Sequence, residues 1–182
     1  HRQDEMMLLV DVGTNAEIVL GNATRTVAAS SPTGPAFEGA EISCGQRAAP
    51  GAIERIRIDP ETLEPRYRVI GIEQWSDEPG FNEAAKKVGV TGVCGSGIIE
   101  IIAEMYLAGI ITEDGVINGD LAARSPRITT NGRTFSYLLR DGEQKLMVTQ
   151  TDVRAIQLAK AALYAGVKLL MDKQNIDHVD RI

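Results

Sequence analysis

An apolar run at residues 7–12 carries an acid, Asp11, near its end. After Gly13-Thr14-Asn15 a second β-prone run follows at 16–20. Two such runs joined by a turn of this composition predict a β-hairpin. Asn22-Ala23 turns the chain into a third strand at 24–29, giving an antiparallel meander. Residues 30–35 read as a loop, and Pro35 suits the first position of a short helix over 34–40. Ile53, Ile56 and Ile58 stand among Glu54, Arg55 and Arg57, so 52–58 predicts a strand. A second strand at 67–72 pairs with it through a loop at 59–65. The charged outward face of this hairpin suits a peripheral position. Residues 74–80, with the only tryptophan, Trp75, read as a surface excursion, and 81–88 as a short helical turn.

Further on the period changes. Ile98, Ile101, Ile102 and Met105 recur at helical spacing, and Gly109 stops the helix predicted over 98–108. Three short strands follow at 127–130, 134–139 and 145–148, around the turn signals Asn131-Gly132 and Asp141-Gly142. The longest helix starts at 149–152, with a threonine as its cap, and runs to about residue 173. Val153, Ile156, Ala159, Leu163, Val167 and Leu170 form its apolar stripe. Residues 179–182 begin another strand. The pattern predicts an α/β chain, 1–182 forming a single lobe with peripheral β segments at 51–90 and 118–148. The strands of residues 6–30 are expected to pack against the helices at 96–108 and 151–173.

Composition narrows the class. The chain has 182 residues, 43% hydrophobic and 24% charged, as in soluble globular proteins. A formal net charge of −6 lacks the basic face that nucleic acid requires. No apolar run approaches the ~20 residues that span a bilayer, so no membrane partner is expected. No signal-peptide pattern opens the chain. Cys44 and Cys94 stand far apart, and His1 and His178 sit near the ends. These form no iron–sulfur or zinc pattern, and two free thiols suit a reducing cytoplasm.

Candidate chemistry sits in two stretches. At the hairpin tip, Gly13 lets a ligand approach the backbone, while Thr14 and Asn15 offer a hydroxyl, an amide and backbone N–H groups. Such a tip can cradle a phosphate, and Asp11 beside it can hold Mg²⁺, directly or through water. An ordinary hairpin with a polar turn has the same pattern. The second stretch is Gly92-Val93-Cys94-Gly95-Ser96-Gly97, opening a helix. Free N–H groups of Gly95, Ser96 and Gly97 would suit an anion; glycines there serve close helix–sheet packing equally well. Cys94 reads as a buried, inert thiol rather than a reactive one. Glu38, Glu41 and Arg47 read as surface or loop charges.

The Asp-x-Gly-Thr hairpin resembles the phosphate loops of the acetate and sugar kinase, heat-shock chaperone and actin superfamily. More narrowly, Leu8 to Gly21, Gly34 to Ala40, Cys44 to Ala52, Gly92 to Gly97 and Asp152 to Ala162 resemble, in order and spacing, the ATP-dependent reductive activators of corrinoid proteins. The likeness covers nearly the whole chain, weakest over 73–87 and 118–145. It implies an actin-like, ribonuclease-H-like lobe with a mixed sheet, the second of two ATPase lobes in a larger protein. It implies ATP and Mg²⁺ as ligands, a corrinoid protein and the remaining domains of the parent chain as partners, and return of Co(II) corrinoid to Co(I). A [2Fe-2S] cluster is expected in the parent, outside this chain. By that resemblance Asp11 handles Mg²⁺, Gly13, Thr14 and Asn15 line the phosphates, and Gly95, Ser96 and Gly97 support them. A non-catalytic interaction lobe and a piece of a sugar- or acetate-kinase-like phosphotransferase are the alternatives. The residues leave oligomeric state open.

Overall fold

The computed structural model describes residues 3–182. His1 and Arg2, part of the polar segment 1–5 that the sequence reads as frayed, lie outside the described residues. In chain order the strands β1 (Met7–Val12), β2 (Ala16–Gly21) and β3 (Thr26–Ser31) come first. Then follow β4 (Ala52–Ile58), β5 (Pro65–Val69), α1 (Phe81–Val88), β6 (Gly92–Val93) and α2 (Gly95–Leu107). The strands β7 (Ile128–Asn131), β8 (Thr134–Arg140) and β9 (Leu146–Thr149) lead into α3 (Gln150–Gln174). The residues group into two compact units. One joins the chain up to Phe37 with Gln157–Ile182, and the other is Glu38–Ile156. The boundary therefore falls inside α3.

In the first unit, β1, β2 and β3 form an antiparallel meander in that order. The predicted hairpin is present, with Val12 opposite Ala16 and Leu8 opposite Leu20. β3 starts two residues later than the sequence suggests. The Asn22 side chain accepts hydrogen bonds from the Thr24 and Arg25 N–H groups at 3.1 and 3.2 Å. That Asx-type turn holds 22–25 out of the ladder. The inward face, Leu8, Ala16, Ile18 and Leu20, is closed by Leu170, with Leu163, Val167 and Met171 of α3 against it. Gly166 sets the height of the helix: a Cβ there would lie 2.6 Å from Ile18 Cδ1. The Ser31 hydroxyl donates to the Ala162 carbonyl at 2.7 Å and bolts β3 to α3. The strand expected at 179–182 is seen as a single parallel bridge between Met7 and Arg181, with the Leu8 N–H donating to the Arg181 carbonyl at 2.8 Å.

In the second unit, β4 is the middle strand of a sheet ordered β5-β4-β6. Ala52, Ile53 and Ile56 are fully buried. The helix predicted at 98–108 begins three residues earlier, because Cys94 takes the N-cap position and its carbonyl receives the Ile98 N–H at 2.9 Å. It was expected on the strands of residues 6–30; its seat is β4. Two carboxylates one turn apart on α2 make that seat. Glu100 accepts the Ile56 N–H at 2.7 Å, and Glu104 accepts the Ile58 N–H at 2.9 Å. β6 pairs with β4 only at Ala52 and Ile53. Side-chain carboxylates thus satisfy backbone donors farther along β4. Arg55 and Arg57, whose alternation with the isoleucines the sequence displays, pair with Glu100. The meander β7-β8-β9 is joined to the 59–65 loop by the buried Tyr137 hydroxyl, which donates to the Leu63 carbonyl at 3.0 Å.

Burial at the α2–β4 seam pushes the Glu100 carboxyl up. The hydrogen bonds from Arg57 and the Ile56 N–H outweigh it and hold the group below its ordinary 4.5. A carboxyl lowered in the folded state adds stability that is fully present above its ordinary value. That stability is lost as pH falls through the lowered value. Acidification from about pH 7 to about pH 3 should therefore destabilise the wild-type protein more than Glu100→Gln. Urea denaturation at both pH values measures this, and equal losses in the two proteins would remove Glu100 from the acid response.

Candidate functional site

The hairpin tip is short because three residues suffice between Val12 and Ala16. The Gly13 N–H donates to the Asn15 carbonyl at 3.0 Å and closes the turn. Thr14 and Asn15 are exposed and Gly13 is half-buried. Asp11 is exposed as well, directly across the ladder from Glu17. Among the described residues no side chain pairs with the Asp11 carboxylate, whereas Glu17 accepts from the Ser30 hydroxyl at 3.3 Å. Like charges directly opposite on a sheet repel. Among the described residues no group of three or more metal-ligating side chains gathers, so a cation beside this turn would need water or ligand oxygens for most of its coordination.

Behind the tip lies a residue that sequence reasoning missed. Thr33 is 5% exposed, and its hydroxyl lies 2.8 Å from the Gly13 carbonyl and 3.2 Å from that of Thr14. No spacing rule links a threonine in a Ser/Pro/Gly loop to a turn some twenty residues upstream. Only the return of β3 alongside β2 brings them together.

The Gly-rich stretch belongs to the second unit. Gly92 and Val93 form β6, the Cys94 N–H donates to the Ile53 carbonyl at 3.0 Å, and α2 begins at Gly95. The N-cap residue Cys94 makes no side-chain capping bond. A helix start without such a bond favours anions. Ser96 is exposed, and its hydroxyl lies 3.3 Å from Cys94 Sγ. Gly97 is buried, and a Cβ there would lie 2.5 Å from the Ile53 carbonyl oxygen and 2.7 Å from Val93 Cγ1. Close helix–strand packing therefore accounts for this glycine.

Of the other motif stretches, 44–52 and the start of 152–162 lie in the same unit. The Val93 N–H donates to the Cys44 carbonyl at 2.8 Å, and the Gln46 N–H donates to the Val93 carbonyl at 2.9 Å. Asp152, 2% exposed, accepts from the Ser43 N–H and hydroxyl at 2.8 and 3.0 Å. It also accepts from the Thr149 N–H and hydroxyl at 2.7 and 2.8 Å, while its own N–H returns a bond to Thr149 Oγ1. This reciprocal cap starts α3 and pins the 38–46 loop to it. Burial, with the charge of Asp152 added, pushes the Cys44 thiol up to about 12. Cys44 and Cys94 are both buried, free thiols, as expected of inert core cysteines. A cavity of about 550 Å³ in this unit is lined by Thr112, Asn118, Arg133, Gln150 and Arg154 with their neighbours, and by none of the candidate site residues named from the sequence.

An Asp-x-Gly-Thr hairpin on an antiparallel meander closed by a helix agrees with an actin-like (ASKHA) domain, the class that the family match shows. The model of the C-terminal ASKHA domain of RACo matches residues 5–182, and the chain belongs to that family. It is 35% identical to the corrinoid activation enzyme RamQ of Eubacterium limosum over 98% of its length and 29% of that protein. It is also 35% identical to the [Co(II) methylated amine-specific corrinoid protein] reductase of Methanosarcina barkeri, over 98% of this chain and 31% of that one. Among solved structures it matches a reductive activator for corrinoid, iron–sulfur protein with a TM-score of 0.78 and 33% identity, over 96% of this chain and 26% of that one. The chain thus spans under a third of the length of these relatives.

If Gly97 is a packing glycine, Gly97→Ala should destabilise the protein by about 1–2 kcal/mol, overpacking outweighing the better helix propensity of alanine. Ser96→Ala, one residue away and exposed, should stay within about 0.5 kcal/mol of wild type. Denaturant unfolding of both variants is the measurement; a neutral Gly97→Ala would refute close packing as the reason for the glycine.

Proposed function

We propose that this domain is the nucleotide-binding lobe of an ATP-dependent reductive activator that returns a Co(II) corrinoid protein to Co(I). The observation that carries the reading is the 35% identity to two corrinoid-activating proteins over 98% of this chain. The hairpin supports it: Thr14 and Asn15 are exposed at its tip, and among the described residues no side chain pairs with the exposed Asp11 carboxylate. Reduction to Co(I) is uphill, so ATP hydrolysis supplies the driving force through a conformational change. Thr14 and Asn15 would bind phosphate oxygens through backbone N–H groups, and Asp11 would hold Mg²⁺ or its water. The electron comes from an iron–sulfur domain elsewhere in the parent chain. The corrinoid protein is the partner, and the two free thiols suit a cytoplasmic setting.

The full-length protein, mixed with a Co(II) corrinoid protein and a low-potential reductant, should form Co(I) only when Mg-ATP is hydrolysed. The visible spectrum of the corrinoid follows this directly. Co(I) formation at the same rate without nucleotide would defeat the reading. The 182-residue chain alone should bind Mg-ATP weakly and release no phosphate at a useful rate, because phosphoryl transfer needs positioning and charge from several elements at once. Calorimetry with a phosphate assay tests that, and micromolar binding with steady turnover would contradict it.

Asp11→Asn separates function from folding by the sign of its effects. Removing one of two facing acids should leave stability unchanged or raise it by a few tenths of a kcal/mol. Losing the charge that attracts Mg²⁺ should cut ATP hydrolysis by the full-length protein by about tenfold or more. Steady-state ATPase rates beside thermal midpoints measure both. An unchanged rate would make Asp11 a turn residue only.

A further inference from the structure

We propose that Thr33 is the positioning residue of the phosphate loop: its buried hydroxyl draws back the Gly13 and Thr14 carbonyls and so aims the Thr14 and Asn15 N–H groups outward at phosphate oxygens. This rests on the nucleotide reading above and adds a residue and a role to it. The Thr33 hydroxyl has one proton and two acceptors, at 2.8 and 3.2 Å, so it donates to both in a three-centre bond with the Gly13 carbonyl favoured. Every peptide bond of the described chain is trans. In a planar trans peptide the C=O and the following N–H point in opposite directions. Fixing the Gly13 carbonyl therefore fixes the Thr14 N–H, and fixing the Thr14 carbonyl fixes the Asn15 N–H. Two successive amides aimed the same way make a concavity that receives anions. The same bonds turn two partial negative charges away from the place an anion would occupy.

The hydroxyl is itself held in place. The Thr33 N–H donates to the Ser31 carbonyl at 2.9 Å, and the Ser31 hydroxyl is fixed to the Ala162 carbonyl of α3 at 2.7 Å. Both residues are 5% exposed. A β-branched side chain adds stiffness at χ1. The tip is therefore braced from the core side by a rigid element while its outer side stays accessible, which is the preorganisation that charge stabilisation calls for. A hydroxyl that merely closed the loop would affect stability and every ligand alike; one that aims two amides affects only ligands that carry phosphate.

The test uses the full-length protein, with Mg-ATP and adenosine as the two probes, and thermal midpoints recorded beside the affinities. Thr33→Val keeps the shape and removes the donor. It should lose about tenfold in Mg-ATP affinity, the worth of one oriented hydrogen bond, and leave adenosine affinity unchanged. Thr33→Ser restores the hydroxyl and should bind Mg-ATP within about twofold of wild type. If Thr33→Val does not fold, Thr33→Cys, of similar volume with a weak donor, carries the same expectation. Mg-ATP affinity unchanged in the donor-deleted variant overturns the proposal, as does an equal loss for adenosine and Mg-ATP. Wild-type protein that binds no Mg-ATP overturns the nucleotide reading together with this one, whereas wild-type binding with an indifferent Thr33→Val overturns this one alone.

Discussion

One helix supplies apolar surface to two cores. The chain leaves the first unit after Phe37 and re-enters it inside α3, at Gln157. The inward face of the first three strands, Leu8, Ile18 and Leu20, is closed by Leu163, Val167 and Leu170 from the far half of that helix. Val153 and Ile156, on its near half, are buried in the other unit. Fully burying one such side chain contributes about 1.5–3 kcal/mol; Leu163 and Val167, only partly buried, contribute less. The start and the middle of α3 are also held by polar bonds. Asp152 clamps the start to Ser43 and Thr149, and Ser31 grips the middle at Ala162.

The two candidate stretches meet different physical demands. The hairpin tip leaves Thr14 and Asn15 exposed, and the Thr33 hydroxyl behind it bonds backbone, the Gly13 and Thr14 carbonyls. The start of α2 is instead dominated by contact with β4. Gly97 has no room for a side chain, and the Cys94 N–H is spent on Ile53. The glycines of a family motif therefore need not be ligand contacts; at Gly97 backbone approach of helix to strand is reason enough.

How much of this could be read beforehand depends on the range of the interaction responsible. The hairpin over 7–20, the Asn131-Gly132 hairpin and both long helices follow from spacing and turn chemistry within a few residues, and each is present. The late start of β3 is also a local effect, from the Asn22 side chain, but it sits in a turn whose strength composition does not convey. The five stretches that resemble corrinoid activators placed Asp11, Gly13, Thr14 and Asn15 at one turn without any coordinates.

The seat of α2, the division of the α3 stripe and the brace behind the hairpin tip were settled only in three dimensions. An apolar stripe says that a helix face will be buried, not against what, since hydrophobic attraction is non-directional. The charges on β4 looked like solvent-facing residues because their acidic partners, Glu100 and Glu104, lie more than forty positions away. Thr33 carries no sequence signal at all, for a hydrogen bond between a loop hydroxyl and two carbonyls nineteen and twenty residues upstream exists only once β3 has come back beside β2. The sequence by itself determined the elements, the family and the polar groups that the turn gathers; tertiary structure decided which backbone and side-chain groups those elements bring within bonding distance.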